Sequence, residues 1–165
     1  MASADDGRGI REDVGAVLRA EADAIAALEG RLDWASVSQV VKLLLGLKGH
    51  VYAMGCGTSG VAAKKIAHTF SCVGYPATYL SPADAPHGAL GALNAGDVVF
   101  LVTKGGETSE LSAILPALSQ LGATVIAVTG VADSTIGRGA DLRLIVEVDS
   151  SHGDETAASN IANAL

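Results

Sequence analysis

Aromatic residues are scarce in this chain, with one Trp, three Tyr and two Phe among 165 residues. A core built with so few rings, but with 49% hydrophobic residues and 20 Gly, suits a parallel α/β layer fold better than a β-sandwich. Basic residues are also in short supply, 11 Lys and Arg against 18 Asp and Glu, for a net charge of -7. That balance argues against nucleic acid as a partner, because the polyanion needs a basic footprint to release its counterions. A small anionic ligand is still allowed, since backbone N–H groups at a helix start hold an anion locally whatever the global charge. Only two cysteines occur, Cys56 and Cys72, and they form no CxxC pair. With no signal peptide in the polar start MASADDGRG, they are expected to be reduced thiols in a cytoplasmic protein. The four histidines are scattered without metal-ligand spacing. The longest apolar runs, such as VVFLV over Val98–Val102, are too short to span a bilayer, so no membrane partner is expected.

The length fits a single domain that buries roughly 70% of its unfolded surface. Residues 1–49 read as a helical segment. Val14, Val17, Leu18, Ile25, Leu28 and Leu32 recur at three- and four-residue steps, Gly30 or Asp33 breaks the first helix, and WASVSQVVKLLLGLKG makes a second. Both helices are read as packing on the domain, with a contact between copies as the alternative.

From His50 the pattern alternates between strand and helix. Five apolar strands are expected at HVYAM, ATYLS (Ala77–Ser81), VVFLV, ATVIAVT (Ala123–Thr129) and LRLIVEV (Leu142–Val148). Helices are expected over Thr58–Val73 and Glu107–Leu121, with a short turn around Ser134–Arg138 and a loop or short helix at PADAPHGALG. Short, fully apolar strands joined by helices predict a three-layer αβα domain whose five-stranded parallel sheet is doubly wound in a flavodoxin-like order. Ligands of such sheets bind beyond the carboxyl ends of the strands, in the loops after Met54, Ser81, Val102 and Thr129.

The first of these loops, in VYAMGCGTSGVAAKKIA, has the Gly55-x-Gly57-x-x-Gly60 spacing of a dinucleotide fingerprint. That fingerprint also needs an acidic residue about 20 positions on, at the end of the second strand, for the ribose hydroxyls. Here that strand ends Tyr79-Leu80-Ser81-Pro82, and Asp84 lies past the proline, so an NAD- or FAD-dependent oxidoreductase rests on the glycines alone. The junction after the third strand carries Thr103, Lys104, Gly105, Gly106, Glu107, Thr108 and Ser109, rich in donors for an anion. Two such loops facing one crevice suit a small phosphorylated molecule. Each taken singly is also readable as a tight β–α turn with a hydroxyl cap.

The runs GCGTSGVAAKKIAHTF, SPADAPHGALG, LVTKGGETSEL and TVIAVTGVADSTIGRGADL together resemble the sugar isomerase (SIS) domain, in particular its KpsF/GutQ arabinose-5-phosphate isomerase-like group. The resemblance extends from the first helix to Val148. It implies a flavodoxin-like SIS fold that binds a sugar phosphate, no organic cofactor, a homo-oligomer (tetramer or dimer) and aldose–ketose isomerisation. The phosphate-binding candidates are then Gly55, Gly57, Thr58 and Ser59 of the first loop, Ser81, and Thr103 to Ser109 of the third-strand loop. The family's catalytic carboxylate falls on Glu110, and His87-Gly88-Ala89-Leu90-Gly91 lines the sugar site. A later carboxylate has its counterpart at Glu155, with Asp154 or His152 as alternatives. The chain departs from the group's pattern at Thr58, where a lysine is usual, and at Gly105, where a serine is usual. Residues 50–165 are therefore expected to be a phosphosugar-binding domain whose C-terminal end is incomplete, since the family continues beyond the position of Leu165. A non-catalytic phosphosugar sensor would use the same loops without turnover.

Isomerisation through an enediol requires a base that removes a proton beside the carbonyl and returns it. Glu110 suits that role, one turn into a helix whose start would hold the phosphate. Glu107, three residues earlier on the same expected helical face, admits a functional role or simple complementation of the helix dipole. His87, in a loop beyond a strand's carboxyl end, could shuttle protons near neutral pH. Cys56 is read as a small filler between glycines, with a thiol nucleophile as its alternative.

Overall fold

The computed structural model describes residues 4–147. Two helices lead, α1 (Ala4–Arg31) and α2 (Trp34–Gly46). They are divided by Asp33 and not by Gly30, which stays within α1. The Asp33 carboxylate caps α2, accepting from the Ala35 N–H at 3.0 Å and the Ser36 hydroxyl at 2.6 Å. Then follow β1 (Val51–Gly55), α3 (Gly57–Cys72), β2 (Ala77–Tyr79), two short 3-10 turns over Ala85–His87 and Ala89–Ala92, and β3 (Val98–Val102). The described chain closes with α4 (Ser109–Gln120), β4 (Thr124–Thr129), α5 (Thr135–Gly139) and β5 (Leu142–Ile145).

All four strand pairings are parallel, and the sheet order is β2-β1-β3-β4-β5, the expected doubly wound arrangement. Strand side chains alternate between two apolar layers. Val51, Ala53, Val98, Phe100, Val102, Ile126 and Val128 face α3, α2 and the end of α1. Tyr52, Met54, Val99, Leu101, Val125 and Ala127 face α4, α5 and the turns after β2. β1 and β3 are buried at every residue, which is why both read as unbroken apolar runs. β2 is shorter than expected and only half-buried, as an edge strand with one neighbour.

Asp97 sets the start of the two central strands. Its buried carboxylate accepts from the His50 N–H at 2.7 Å and the Asn94 N–H at 2.8 Å. A Cβ on Gly49 would collide with that carboxylate, so the turn before β1 requires glycine. Among the described residues no helix is long and apolar enough to cross a membrane.

Candidate functional site at the switch point of the sheet

The strand order reverses between β1 and β3, which lie side by side with Gly55 opposite Val102. The loops after these strands therefore leave the sheet together and run to opposite faces, opening a crevice between them. Both loops singled out in the sequence border that crevice.

The first loop is shaped by close approach. A Cβ on Gly55 would lie 2.6 Å from the Ser59 carbonyl oxygen, and one on Gly60 2.7 Å from that of Gly55. Glycine at both positions lets the start of α3 press against the strand end. Cys56 precedes α3 in extended conformation with no side-chain cap, so the first amides of the helix have no acceptor within it. Thr58 is exposed and Ser59 half-buried on this turn. The strand end is fixed from the side by Tyr79, whose hydroxyl donates to the Gly55 carbonyl at 3.1 Å. The exposed Lys64 sits over the Tyr79 ring, 5.0 Å from its centroid.

The second loop is held by its own hydroxyls and by the neighbouring β4–α5 segment. Thr103, buried at the end of β3, shares a hydrogen bond of 2.8 Å with the Thr108 hydroxyl and accepts from the Gly106 N–H at 3.2 Å. Gly106 has φ +74, and a Cβ there would collide with the Ser134 hydroxyl. The Lys104 carbonyl accepts from the Gly130 N–H at 2.9 Å and the Thr129 hydroxyl at 3.2 Å. The Gly106 carbonyl accepts from the Ile136 N–H at 3.0 Å. Gly105 is exposed with open space around it.

The two acidic residues of this loop part company. α4 begins at Ser109, with Thr108 as its cap residue, so Glu107 lies outside the helix on which the sequence pattern put it. The left-handed turn at Gly106 sends it the other way, onto α5. Its carboxylate accepts from the Thr135 N–H at 2.8 Å and the Thr135 hydroxyl at 2.6 Å, and these bonds hold its pKa below the ordinary value. Glu110 stays in the first turn of α4. Its own N–H, first, and the Ser109 hydroxyl at 2.9 Å lower its pKa too. Cys56 is half-buried, and burial, followed by the charge of Glu110, pushes its thiol pKa up. That charge bears on the first loop from across the crevice. The Tyr79 phenol is likewise raised, by burial first and then by Cys56 and Asp84.

The other candidates lie around this centre. Ser81 is half-buried just beyond β2, where its carbonyl receives the Asp84 and Ala85 N–H groups. His87 is exposed at the end of the first 3-10 turn, before Gly88 at φ +112. Glu155, with Asp154 and His152, lies outside the described residues. Tyr79, Ser134 and Thr135 also shape the loops, though sequence reasoning did not select them. Ser134 before a short helix has the local signature of a cap; nothing local announces that Glu107 reaches Thr135. Among the described residues no group of three or more His, Cys, Asp or Glu is placed to hold a metal.

The SIS domain family profile matches residues 44–163. Arabinose 5-phosphate isomerase KdsD of Pseudomonas aeruginosa is 37% identical over 142 residues, covering 86% of this chain and 42% of that protein. Arabinose 5-phosphate isomerase KpsF of Escherichia coli is 33% identical over 145 residues, covering 88% of this chain and 43% of that protein. The chain thus spans about two fifths of the length of these curated relatives. An Escherichia coli CFT073 protein solved in complex with arabinose 5-phosphate superposes with a TM-score of 0.87 at 27% identity, over 95% of this chain and 85% of that one.

Proposed function

Because this chain belongs to the SIS domain family, we propose that it is a phosphosugar isomerase that interconverts the aldose and ketose forms of a sugar phosphate of the arabinose 5-phosphate kind. The observation that carries this reading is the pair of glycine loops leaving adjacent strands at Gly55 and Val102, with Glu110 one residue inside α4. The phosphate lies against Gly55, Gly57, Thr58 and Ser59, against Ser81 and against the loop from Thr103 to Ser109, with Lys104 adding charge and Glu107 contributing its backbone alone. The sugar then extends toward His87 and Glu110. Glu110 removes the proton beside the carbonyl and returns it to the neighbouring carbon, while His87 moves the hydroxyl proton. In the free protein the Glu110 carboxylate is a weak base, because its own amide and Ser109 stabilise its charge. A phosphate drawn to the same donors releases it, and the adjacent negative charge raises its affinity for a proton. Glu155 is assigned to the site on the resemblance alone. Residues 50–165 form the phosphosugar-binding domain on this reading, with residues 1–49 packing on it.

Incubation with arabinose 5-phosphate in heavy water tests the chemistry. Deuterium uptake at the carbon beside the carbonyl is expected. Glu110→Gln is expected to lower that uptake by about 10²-fold or more while sugar-phosphate binding persists. Stabilisation by the sugar without any uptake would point to the non-catalytic sensor instead.

Two further readings accompany this one. The protein works in the cytoplasm, where its free thiols, one of them exposed, stay reduced. It assembles as a homo-oligomer, tetramer or dimer, supported by the exposed apolar residues Ile10, Val14, Val17 and Leu18 on α1.

A further inference from the structure

The β3–α4 loop is anchored to the β4–α5 segment at three places. Two use its backbone, through the carbonyls of Lys104 and Gly106. The third uses the Glu107 side chain, whose two oxygens accept separately from the Thr135 N–H at 2.8 Å and the Thr135 hydroxyl at 2.6 Å. Glu107 is wrongly charged to hold a phosphate. It lies before the first turn of α4, so it does not serve that helix's dipole either. Both its oxygens point to the start of α5, whose first amide would otherwise lack an acceptor. Both partners are exposed, so little of the core depends on them. What they determine is where the strand of loop between Gly106 and Thr108 runs, and with it the direction of the amides that open α4.

We propose that Glu107 is a positioning residue: its carboxylate latches the phosphate loop to Thr135 and so presets the loop's amides for the ligand. The proposal rests on the reading of this loop as the phosphate site. The latch keeps a negative charge beside an anion site while turning it away from the anion and neutralising it on donors of another helix. A glutamine loses the charge yet can keep both contacts, its Oε1 accepting from the Thr135 N–H and its Nε2 donating to the Thr135 hydroxyl, so alanine is the change that opens the latch.

The test compares Glu107→Ala, Thr135→Val and Thr135→Ser with the unaltered chain, singly and as the Glu107→Ala/Thr135→Val pair. Amide hydrogen exchange over residues 105–109 reads the latch directly: exchange about tenfold faster is expected in Glu107→Ala, and a smaller increase in Thr135→Val, which keeps the backbone N–H bond. For Glu107→Ala the dissociation constant for inorganic phosphate and KM for arabinose 5-phosphate are expected to rise about tenfold, and for Thr135→Val by less, with kcat within about twofold in both. Thr135→Ser, which keeps both donors, is expected to match the unaltered chain. The double variant is expected to match Glu107→Ala, because the hydroxyl contact that Thr135→Val removes is already lost there. Unchanged amide exchange, additive losses, or a fall in kcat at constant KM would overturn the latch. If the unaltered chain bound neither phosphate nor the sugar phosphate, the site reading would fall. Exchange over residues 105–109 would still decide whether Glu107 fixes the loop.

Discussion

Cys56 and Cys72 differ in what surrounds the sulfur. Cys72 is exposed at the end of α3, with the His68 Nε2 3.5 Å away. Cys56 sits half-buried in the glycine turn, where burial and then Glu110 raise its pKa above the ordinary 9.0. The thiolate is the reacting species, so at pH 8 a disulfide reagent should take Cys72 first and Cys56 much more slowly. Equal rates for the two sulfurs would contradict this environment for Cys56. The glycines of the β3–α4 loop offer a sharper contrast. Gly106→Ala meets both a positive φ and the Ser134 side chain, and should cost about 2–4 kcal/mol in chemical denaturation. Gly105→Ala, facing open space, should stay within about 1 kcal/mol of the unaltered chain. Similar costs for both would mean that the loop does not take this path.

At the scale of the elements, strands were legible because a buried parallel strand is a short apolar run with turn residues at its ends. VVFLV spans β3 as it stands in the sequence. Helix starts were less legible. Glu107 fits the periodicity of α4, yet the helix begins only at Ser109. The bond between the Thr103 and Thr108 hydroxyls and the reversal at Gly106 close the loop first. Local periodicity contains neither fact. The two central strands also share a fastening that no pattern displays. Asp97 reads as a turn residue, but it satisfies the amides of both His50 and Asn94. Asp97→Ala should therefore destabilise by about 2–4 kcal/mol in urea unfolding, the cost of leaving two part-buried donors without their acceptor. Asp97→Asn should recover part of that loss, because one acceptor oxygen remains. A neutral Asp97→Ala would show that solvent serves these amides equally well.

For the whole molecule, the unfinished feature is α1. Leu28 and Leu32 tie its end to the core beneath α2. Farther out, Ile10, Val14, Val17 and Leu18 are each more than half exposed. In the proposed homo-oligomer a second copy of the chain covers this stripe with the same stripe by symmetry. Sedimentation should find an oligomer, and Val17→Glu with Leu18→Glu should shift it toward monomer while the sheet domain stays folded. A monomeric unaltered chain at tens of micromolar would remove this assignment.

The sequence by itself determined the class of fold and the parallel strands, because apolar runs, helical periodicity and glycine turns are local signals. It also carried the combination of loops by which the family is recognised. Only the tertiary structure decided that Gly55 stands beside Val102, that Tyr79 steadies the first loop, and that Glu107 turns from α4 to Thr135. Each of these joins positions far apart in the chain, and which donor a side chain meets is settled only when the crossovers have brought their ends together.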